Sequence, residues 1–362
     1  MSEIDFDRIA RCVNNPGGNI VIGIDGYIDE VWQIVESRTD LEDYSIYDRM
    51  GAFSHALVEC NEGGFSNEII RKRRSYGGFT ANTCKAVWRL GVKPEILCMF
   101  GTERIDPLFA EFVSSTNLTS VGEPAVCQIY EFSDGKVMLA HSEDVMGFNW
   151  SCLTGAIPES KLKSLFGGAD IIALGYWSVM HAFDEIVENI CRLIRNDKKI
   201  HRMFFDFADI RKRSRSSLEN TIEKLAELNG QVPMTLSLNE HEAELLFSCY
   251  GKTFVHDAED DEQVERMRGV LGIDELVVHT PYFAAAASAS EGCCTMRQTY
   301  CESPLITTGA GDNFNGGYIV ARLKGLNISE RLAFANAATY LYVSRGYSPD
   351  KDELLAELRN KE

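Results

Sequence analysis

The residues with the clearest chemical meaning form the segment ITTGAGDNFNGGYI at positions 306–319. Gly309, Ala310 and Gly311 precede Asp312, and an apolar pattern of helical period follows. A helix that begins at such a turn presents unpaired backbone N–H groups and its positive dipole end, which favour a bound anion, most often a phosphate. A carboxylate beside a phosphate is repelled unless it takes a proton from the group that attacks phosphorus. The segment therefore predicts an anion site with Asp312 as a candidate base, although such a loop by itself is common.

The bulk composition describes a globular protein with an acidic surface. The chain has 362 residues, of which 45% are hydrophobic, and a formal net charge of −18. This balance disfavours non-specific binding to nucleic acids or anionic membranes. The 11 cysteines lack a C-x-x-C pair, and the first residues lack the apolar core of a signal peptide. We therefore expect a cytoplasmic protein with reduced thiols and with neither nucleic-acid nor membrane partners.

The first half of the chain combines core patterns with a polar excursion. An apolar strand is predicted at 19–24, and a helix is predicted from Phe79 to a stop at Gly91. The stretch 36–75 between them is polar and dotted with glycines. Two strand patterns at 126–132 and 136–140 flank Ser133-Asp134-Gly135, which indicates a β-hairpin.

The second half alternates between strand and helix patterns. The strands are predicted at 170–174, 202–207, 235–238, 275–279 and 283–289, and the helices at 182–195, 216–229, 240–248, 260–271, 312–324 and 329–344. Such alternation is typical of βαβ units, which build a mostly parallel sheet covered by helices on both faces. The sequence therefore predicts an α/β fold.

Three familiar nucleotide-binding motifs are missing from the chain. It contains neither the Walker A pattern nor the protein-kinase motifs, and Phe314 stands where a dinucleotide fingerprint would require a third glycine. An anion site at 309–311 must therefore belong to another type of phosphate-binding protein.

Four motifs in order resemble the ribokinase-like carbohydrate kinases, the PfkB family. The segment Thr307 to Gly317 is similar to the family's C-terminal signature, and Gly77-Gly78 followed by Asn82 is similar to its N-terminal signature. The family's N-x-x-E motif is present as Asn239 to Glu242, and the run Ala335 to Ala338 is also similar. The resemblance extends over about residues 19–347.

The resemblance implies a fold and an activity. The fold would be a ribokinase-like three-layer α/β/α arrangement with a mostly parallel central sheet and a small accessory β lid. Residues 1–362 would form one domain, with lid elements from about 25–76 and 124–141. The activity would be transfer of the γ-phosphate of ATP to a hydroxyl of a small carbohydrate, with Mg²⁺.

The resemblance also implies roles for individual residues. Asp312 would be the catalytic base, and the amides of 309–311 would form the anion hole. Asn239 and Glu242 would hold Mg²⁺ largely through water, as suits an ion that keeps most of its hydration shell. The remaining candidates are Thr280 and Asn336 for the nucleotide, and Asp25, Asp29, Gly78 and Asn82 for the substrate.

Other functions remain open at this stage. A nucleoside kinase on the same fold needs apolar or aromatic walls for the base, and the excursion supplies Tyr44, Tyr47, Phe53 and Phe65. A non-catalytic sugar-binding regulator is a further alternative, which the intact Asp312 disfavours. Asp29 could instead cap a helix, and the chain could form a homodimer through the lid. The sequence names neither the sugar nor the reacting hydroxyl.

The chain departs from the family pattern at three positions. Residues 279–283 replace the usual small nucleotide loop, so nucleotide preference is open. The segment 205–209 keeps one aspartate of the family's D-P-N motif. Ile306 stands where the family usually has an aspartate that helps to shape a monovalent-cation site. We therefore expect Ile306 to be buried beneath the anion-hole loop as an apolar anchor.

The Ile306 departure predicts that activity depends little on K⁺. Isoleucine supplies neither charge nor oxygen to a cation, so only backbone carbonyls near 306–308 could coordinate one. The measurement is kcat at fixed ionic strength with K⁺ exchanged for a large organic cation. A many-fold loss of kcat without K⁺ would contradict this prediction.

Overall fold

The computed structural model describes residues 4–60, 63–197, 199, 201–257 and 262–360. Within these residues a nine-stranded sheet forms the centre of the molecule, in the order β14-β13-β12-β11-β10-β9-β1-β5-β6. Its strands are β1 Ile20–Gly23, β5 Glu95–Cys98, β6 Asn117–Ser120, β9 Ile171–Gly175, β10 Arg202–Asp206, β11 Met234–Asn239, β12 Glu275–His279, β13 Phe283–Ser288 and β14 Gly292–Arg297. The run from β12 to β6 is parallel, and β13 and β14 are antiparallel. The predicted α/β fold with a mostly parallel sheet is confirmed.

The helices of the described residues pack into the cores on the two faces of the large sheet, except α2 (Met50–Glu59), which contributes to neither core. They are α1 Phe6–Asn14, α2 Met50–Glu59, α3 Phe79–Arg89, α4 Ala110–Ser115, α5 Glu143–Gly147, α6 Trp150–Ala156, α7 Glu159–Gly168, α8 Phe183–Ile194, α9 Arg215–Asn229, α10 Glu240–Cys249, α11 Glu262–Leu271, α12 Ala310–Leu323, α13 Ile328–Arg345 and α14 Lys351–Arg359. Alternate residues of a strand point to opposite faces, so Val21 packs into one core while Ile20 and Ile22 pack into the other. Helices α6 to α11 contribute to the first core, and α1, α3, α4 and α12 to α14 to the second.

A second, smaller sheet lies beside the large one. Its strands are β2 Tyr27–Arg38, β3 Tyr44–Ile46, β4 Ile69–Gly77, β7 Ala125–Phe132 and β8 Gly135–His141. They pair in the order β3-β2-β7-β8, and β4 also pairs with β2. The predicted hairpin is confirmed, because β7 and β8 are antiparallel with Phe132 opposite Gly135.

Several elements differ from the sequence predictions. The polar excursion 36–75 contains β3, β4 and α2, a helix with no buried residue. Asp29 lies within β2, so the alternative that it caps a helix is wrong. Helices α5, α6 and α7 were not predicted because each is short, with at most two buried residues to mark a period. In the described part of the chain, no helix has the length and apolar character that crossing a bilayer requires.

A buried ionic network closes the amino-terminal edge of the large sheet. Glu275, at the start of β12, is 0% exposed and accepts hydrogen bonds from the hydroxyl of Tyr318 at 2.7 Å and from Nη2 of Arg331 at 2.8 Å. Burial alone would raise the pKa of Glu275, but the nearby Arg331, Arg322 and Arg202 hold that pKa below its usual value. A buried carboxylate is stable here because cations and donors compensate it on several sides.

This network predicts that Glu275→Gln destabilises the protein at neutral pH. The substitution removes one of the two carboxylates that pair with the buried Arg331, the other being Glu291, and breaking a buried ion pair costs about 3–5 kcal/mol. Because the folded pKa of Glu275 is depressed, its stabilisation is present above the unfolded pKa of about 4.3 and is lost as pH falls below it. Denaturant unfolding at pH 7 and pH 4 measures both effects.

The control for this variant is Glu227→Gln, since the Glu227 side chain is 73% exposed. If Glu275→Gln unfolds at the same denaturant concentration as the control at pH 7, the network does not stabilise the fold as described.

Candidate active site

Polar residues collect where neighbouring parallel strands end. Strand β10 ends at Asp206, β11 at Asn239 and β12 at His279. These three residues line a cavity of about 590 Å³, together with the start of α12. Ligands of open α/β sheets bind at this carboxyl edge.

The loop before α12 brings backbone amides to this cavity. Gly309 has a φ of +86°, and Gly309, Ala310 and Gly311 all line the cavity. A Cβ at Gly309 would lie 2.8 Å from the Tyr342 hydroxyl oxygen, and this close approach, with the positive φ, requires glycine. The Tyr342 hydroxyl also donates to the carbonyl of Thr308 at 2.7 Å. The amides therefore have a fixed backbone conformation at the positive end of a helix.

Asp312 lies in the first turn of α12 and lines the same cavity. Its Oδ2 accepts a hydrogen bond from Nδ2 of Asn82 at 2.9 Å. Burial raises the pKa of Asp312, and the negative charge of Asp206 raises it further, while the Asn82 bond acts in the opposite direction. A carboxylate with a raised pKa is a stronger base than an exposed aspartate, so its geometry and chemistry suit proton removal.

Two further buried carboxylates line the same cavity as Asp312. Asp206 accepts hydrogen bonds from Nδ2 of Asn315 at 2.7 Å and from the backbone N–H of Ala208 at 2.8 Å, and burial raises its pKa. Glu242 is 5% exposed, and burial together with the charge of Asp206 raises its pKa. Sequence reasoning missed Asp206 as a site residue, although its position at the end of an apolar strand was a usable signal.

Asn239 and Glu242 begin helix α10. The side-chain oxygen of Asn239 accepts from the N–H of Glu242 at 3.0 Å, and Oε2 of Glu242 accepts from the N–H of Asn239 at 2.9 Å. This capping box fixes both side chains at the cavity wall. No group of three or more His, Cys, Asp or Glu side chains positioned to hold a metal ion directly occurs among the described residues.

Asp25 lies just beyond the carboxyl end of β1 and is 0% exposed. The N–H and Oγ1 of Thr80 donate to its Oδ1 at 2.9 and 2.6 Å. Its Oδ2 has no hydrogen-bond partner in the part of the chain that the structure describes. Burial raises the pKa of Asp25 to about 6. A Cβ at Gly78 would lie 2.1 Å from Oδ2, so glycine is required beside this carboxylate.

A second cavity of about 320 Å³ lies between the small sheet and α12. Asp29 of β2 and Asn82 of α3 both line it. Since Asn82 lines the second cavity and is hydrogen-bonded to Asp312, which lines the first, this pair stands at the boundary between the two. Burial raises the pKa of Asp29, and Lys136 and Arg73 partly offset that effect.

The two predicted nucleotide residues are placed differently. Thr280 lines the larger cavity, but its Oγ1 already accepts from the N–H groups of Tyr282 and Phe283 at 3.1 and 3.0 Å. Asn336 is 4% exposed and lies outside both cavities, whereas Thr339, one helical turn later, lines the larger one. Neither amide atom of Asn336 has a hydrogen-bond partner among the described residues. Its role at the nucleotide base stays a prediction.

Ile306 is not the buried anchor that the sequence suggested. It is only partly buried and lines the second cavity. The loop is instead held by α13, because the N–H of Leu305 donates to the carbonyl of Val343 at 2.8 Å, in addition to the Tyr342 bond. Backbone and hydroxyl hydrogen bonds take the place of apolar packing.

The aromatic residues of the excursion also lie away from both cavities. Tyr47, Phe53 and Phe65 pack on one another with ring centroids 5.6–6.3 Å apart, and Phe53 stacks on Phe132 at 5.7 Å. Neither these rings nor Tyr44 lines the two cavities. The aromatic residues on which the nucleoside alternative was based therefore do not form a wall of either cavity.

Comparisons with known proteins show that the chain is similar to sugar kinases. The family model of prokaryotic ketohexokinase matches residues 8–360. The chain is 26% identical to the ketohexokinase of Haloferax volcanii over 345 residues, which are 94% of this chain and 90% of that protein.

Two solved structures share the fold. An Arabidopsis thaliana ribokinase complexed with ribose and ATP aligns with a TM-score of 0.69 and 18% identity, covering 95% of this chain and 99% of that one. A nucleoside kinase of Methanocaldococcus jannaschii aligns with a TM-score of 0.61 and 18% identity, covering 95% and 100%. The family model matches this chain over nearly all of its 362 residues, and the chain has the ribokinase fold. The chain therefore belongs to the prokaryotic ketohexokinase family and is a phosphotransferase that acts on a sugar hydroxyl.

Proposed function

We propose that this protein transfers the γ-phosphoryl group of ATP to a hydroxyl of a ketohexose. The observation that carries the proposal is that Asp312 lines the larger cavity beside Gly309, Ala310 and Gly311 and is hydrogen-bonded to Asn82, which lines the smaller one. The larger cavity would take the nucleotide and the smaller one the sugar. The sugar class follows from the family, and phosphoryl transfer follows from the site.

Asp312 is the proposed base for the sugar hydroxyl. Asn82 holds one carboxylate oxygen at 2.9 Å, so the other oxygen is left to accept the proton. Proton removal makes the sugar oxygen a better nucleophile, and the amides of 309–311 stabilise the charge on the phosphoryl group. Phosphoryl transfer requires little covalent participation by the protein, so positioning and electrostatics carry the catalysis.

The buried carboxylates of the larger cavity fit a magnesium site. Asn239 and Glu242 are fixed by their capping box, and Asp206 adds a third oxygen donor nearby. These residues would hold the ion largely through water, since Mg²⁺ retains several waters and needs few carboxylates. When bound, Mg²⁺ supplies positive charge to the nucleotide phosphates.

The smaller cavity suits a polyhydroxylated ligand. Asp29 lines it, and Gly77 places no side chain against that carboxylate. Asp25 lies outside this lining but beside Gly78, and its Oδ2 has no hydrogen-bond partner among the described residues. Sugar hydroxyls would donate to these oxygens. The small sheet would act as a lid over this cavity, because β2 and β4 contribute to its walls.

A panel of candidate acceptors with ATP and Mg²⁺ tests the assignment. The proposal expects phosphate-ester formation with a ketohexose, well above the rates with aldoses and nucleosides. Preferential phosphorylation of a nucleoside would establish the alternative kinase. Binding of sugar without any phosphorylation would establish a non-catalytic regulator.

Asp312→Asn should lower kcat by about 10²–10⁴-fold, the usual contribution of a general base. The substitution keeps the shape of the side chain, so sugar affinity should change little. Asp7→Asn, at an exposed position on α1, is the matched control. Steady-state kinetics with the best acceptor measure the effect. If Asp312→Asn retains a tenth or more of wild-type kcat, another group is the base.

Asp206→Asn should move the acid limb of kcat/KM to lower pH. The base must be deprotonated, and the charge of Asp206 raises the pKa of Asp312, so removing that charge lowers it. The pH at which activity is half lost on acidification should fall accordingly. Carbon-detected NMR titration of the carboxyl groups in the ligand-free protein gives the same shift without turnover. An unchanged or upward shift would contradict the coupling of the two carboxylates.

A further inference from the structure

A lysine of the small sheet reaches the loop that carries the anion-hole amides. Lys136 lies on β8, directly after the hairpin turn, and its Nζ donates to Oγ1 of Thr308 at 3.1 Å. Thr308 immediately precedes Gly309. Lys136 and Thr308 both line the smaller cavity. The ammonium group therefore lies beside the anion-hole loop, on the proposed sugar side.

The hairpin register offers Lys136 a different partner, which it does not use. Glu131 of β7 lies directly opposite Lys136, where oppositely charged residues commonly pair. Glu131 instead accepts from Arg73 of β4 at 3.4 Å. Among the residues that the structure describes, Lys136 forms no ion pair. Its charge is therefore available to a ligand.

The other cations of the smaller cavity are already compensated. Arg73 pairs with Glu131, and Lys85 pairs with Glu111. Lys136 is thus the cation in this wall that lacks a paired carboxylate within the described ranges. The charge of Lys136 acts on Asp29 in the same wall, but the two side chains form no ion pair, so the ammonium next to the loop is still suited to a negatively charged group.

The backbone at Lys136 is held in place by contacts with the excursion. Oδ1 of Asp134 accepts from the N–H of Met50 at 2.8 Å, and the N–H of Ser133 donates to the carbonyl of Asp48 at 2.6 Å. These bonds join the hairpin turn to the segment before α2. The long side chain can therefore reach the loop from a fixed position.

We propose that Lys136 is a catalytic residue whose ammonium contacts the phosphoryl group during its transfer to the sugar. The proposal rests on the kinase function proposed above. In the step, the bond between phosphorus and the nucleotide oxygen breaks, the bond between phosphorus and the sugar oxygen forms, and the hydroxyl proton goes to Asp312. Lys136 forms no covalent bond in this step. It stabilises the charge from the acceptor side, while the amides of 309–311 stabilise it at the loop.

The test compares Lys136→Met, which removes the charge, with Lys136→Arg, which keeps it. Lys72→Met is the matched control, since Lys72 is an exposed lysine of β4 outside both cavities. Removing one donor to a developing anion costs about 10²–10³-fold in kcat, so Lys136→Met should show a loss of this order with KM for the sugar little changed. Lys136→Arg should recover much of the loss, and the control should behave as wild type.

A binding measurement distinguishes a contact between Lys136 and the phosphoryl group from a purely structural role of Lys136 in the small sheet. Calorimetry on the same variants compares the affinity for the phosphorylated sugar with that for the free sugar. Lys136→Met should weaken the binding of the phosphorylated sugar by about tenfold, as expected for loss of one charge-assisted hydrogen bond. The affinity for the free sugar should not change. Equal weakening of both ligands, or an unchanged kcat, would overturn the proposal.

The two proposals fail differently. A wild-type protein that phosphorylates no acceptor in the panel refutes the kinase function and, with it, the role of Lys136. A wild-type protein that is active and a Lys136→Met variant with normal kcat refute only the role of Lys136.

Discussion

The site depends on one electrostatic constraint, namely four carboxylates buried at one edge of a sheet without a paired cation. Asp25, Asp206, Glu242 and Asp312 are held by neutral donors, and among the described residues none forms an ion pair with lysine or arginine. Burial raises the pKa of each of them. Glu275, at the opposite edge, is equally buried but is surrounded by arginines that lower its pKa. The same side-chain chemistry is compensated at the edge where it stabilises the fold and left uncompensated at the edge where we propose that ligands bind.

This constraint accounts for the ligands that the site would attract. Uncompensated carboxylates favour a proton, a divalent cation or donor hydroxyls, and each corresponds to one part of the proposed reaction. The positive charge near Asp312 is the partial charge of the backbone amides at the start of α12. Backbone amides do not give up a proton, so they cannot neutralise the carboxylates. The proposed base and the proposed anion hole can therefore coexist within a few residues. The proposed contribution of Lys136 comes from the small sheet, so the full proposed arrangement requires both sheets.

Much of the fold was predictable because the patterns that specify it are local. The alternating strands and helices after residue 170 follow from apolar periodicity, and the small residues of the GAGD segment indicated where α12 begins. The small sheet was harder to predict because β2 pairs with β4 and β7, and these partners are distant in the sequence. The spacing of residues along the chain does not encode such pairing.

The same distinction applies to individual site residues. Asp312 was recognisable from its neighbours in sequence, whereas the importance of Asp206 follows from its proximity to Asp312 and Glu242 in space. Ile306 was expected to be buried, but the hydrogen bonds of α13 hold the loop and leave this side chain at a cavity wall. The contact of Lys136 with Thr308 joins residues that are 172 positions apart, so no motif could have predicted it.

The most direct test of the account is a structure of the wild-type protein with a ketohexose, Mg²⁺ and a non-hydrolysable ATP analogue. The account predicts that the terminal phosphate lies on the amides of 309–311 in the larger cavity. It also predicts that one hydroxyl of a sugar in the smaller cavity lies within hydrogen-bond distance of Asp312. A nucleotide bound elsewhere, or a sugar with no hydroxyl near Asp312, would contradict the claim that this aspartate joins two substrate cavities.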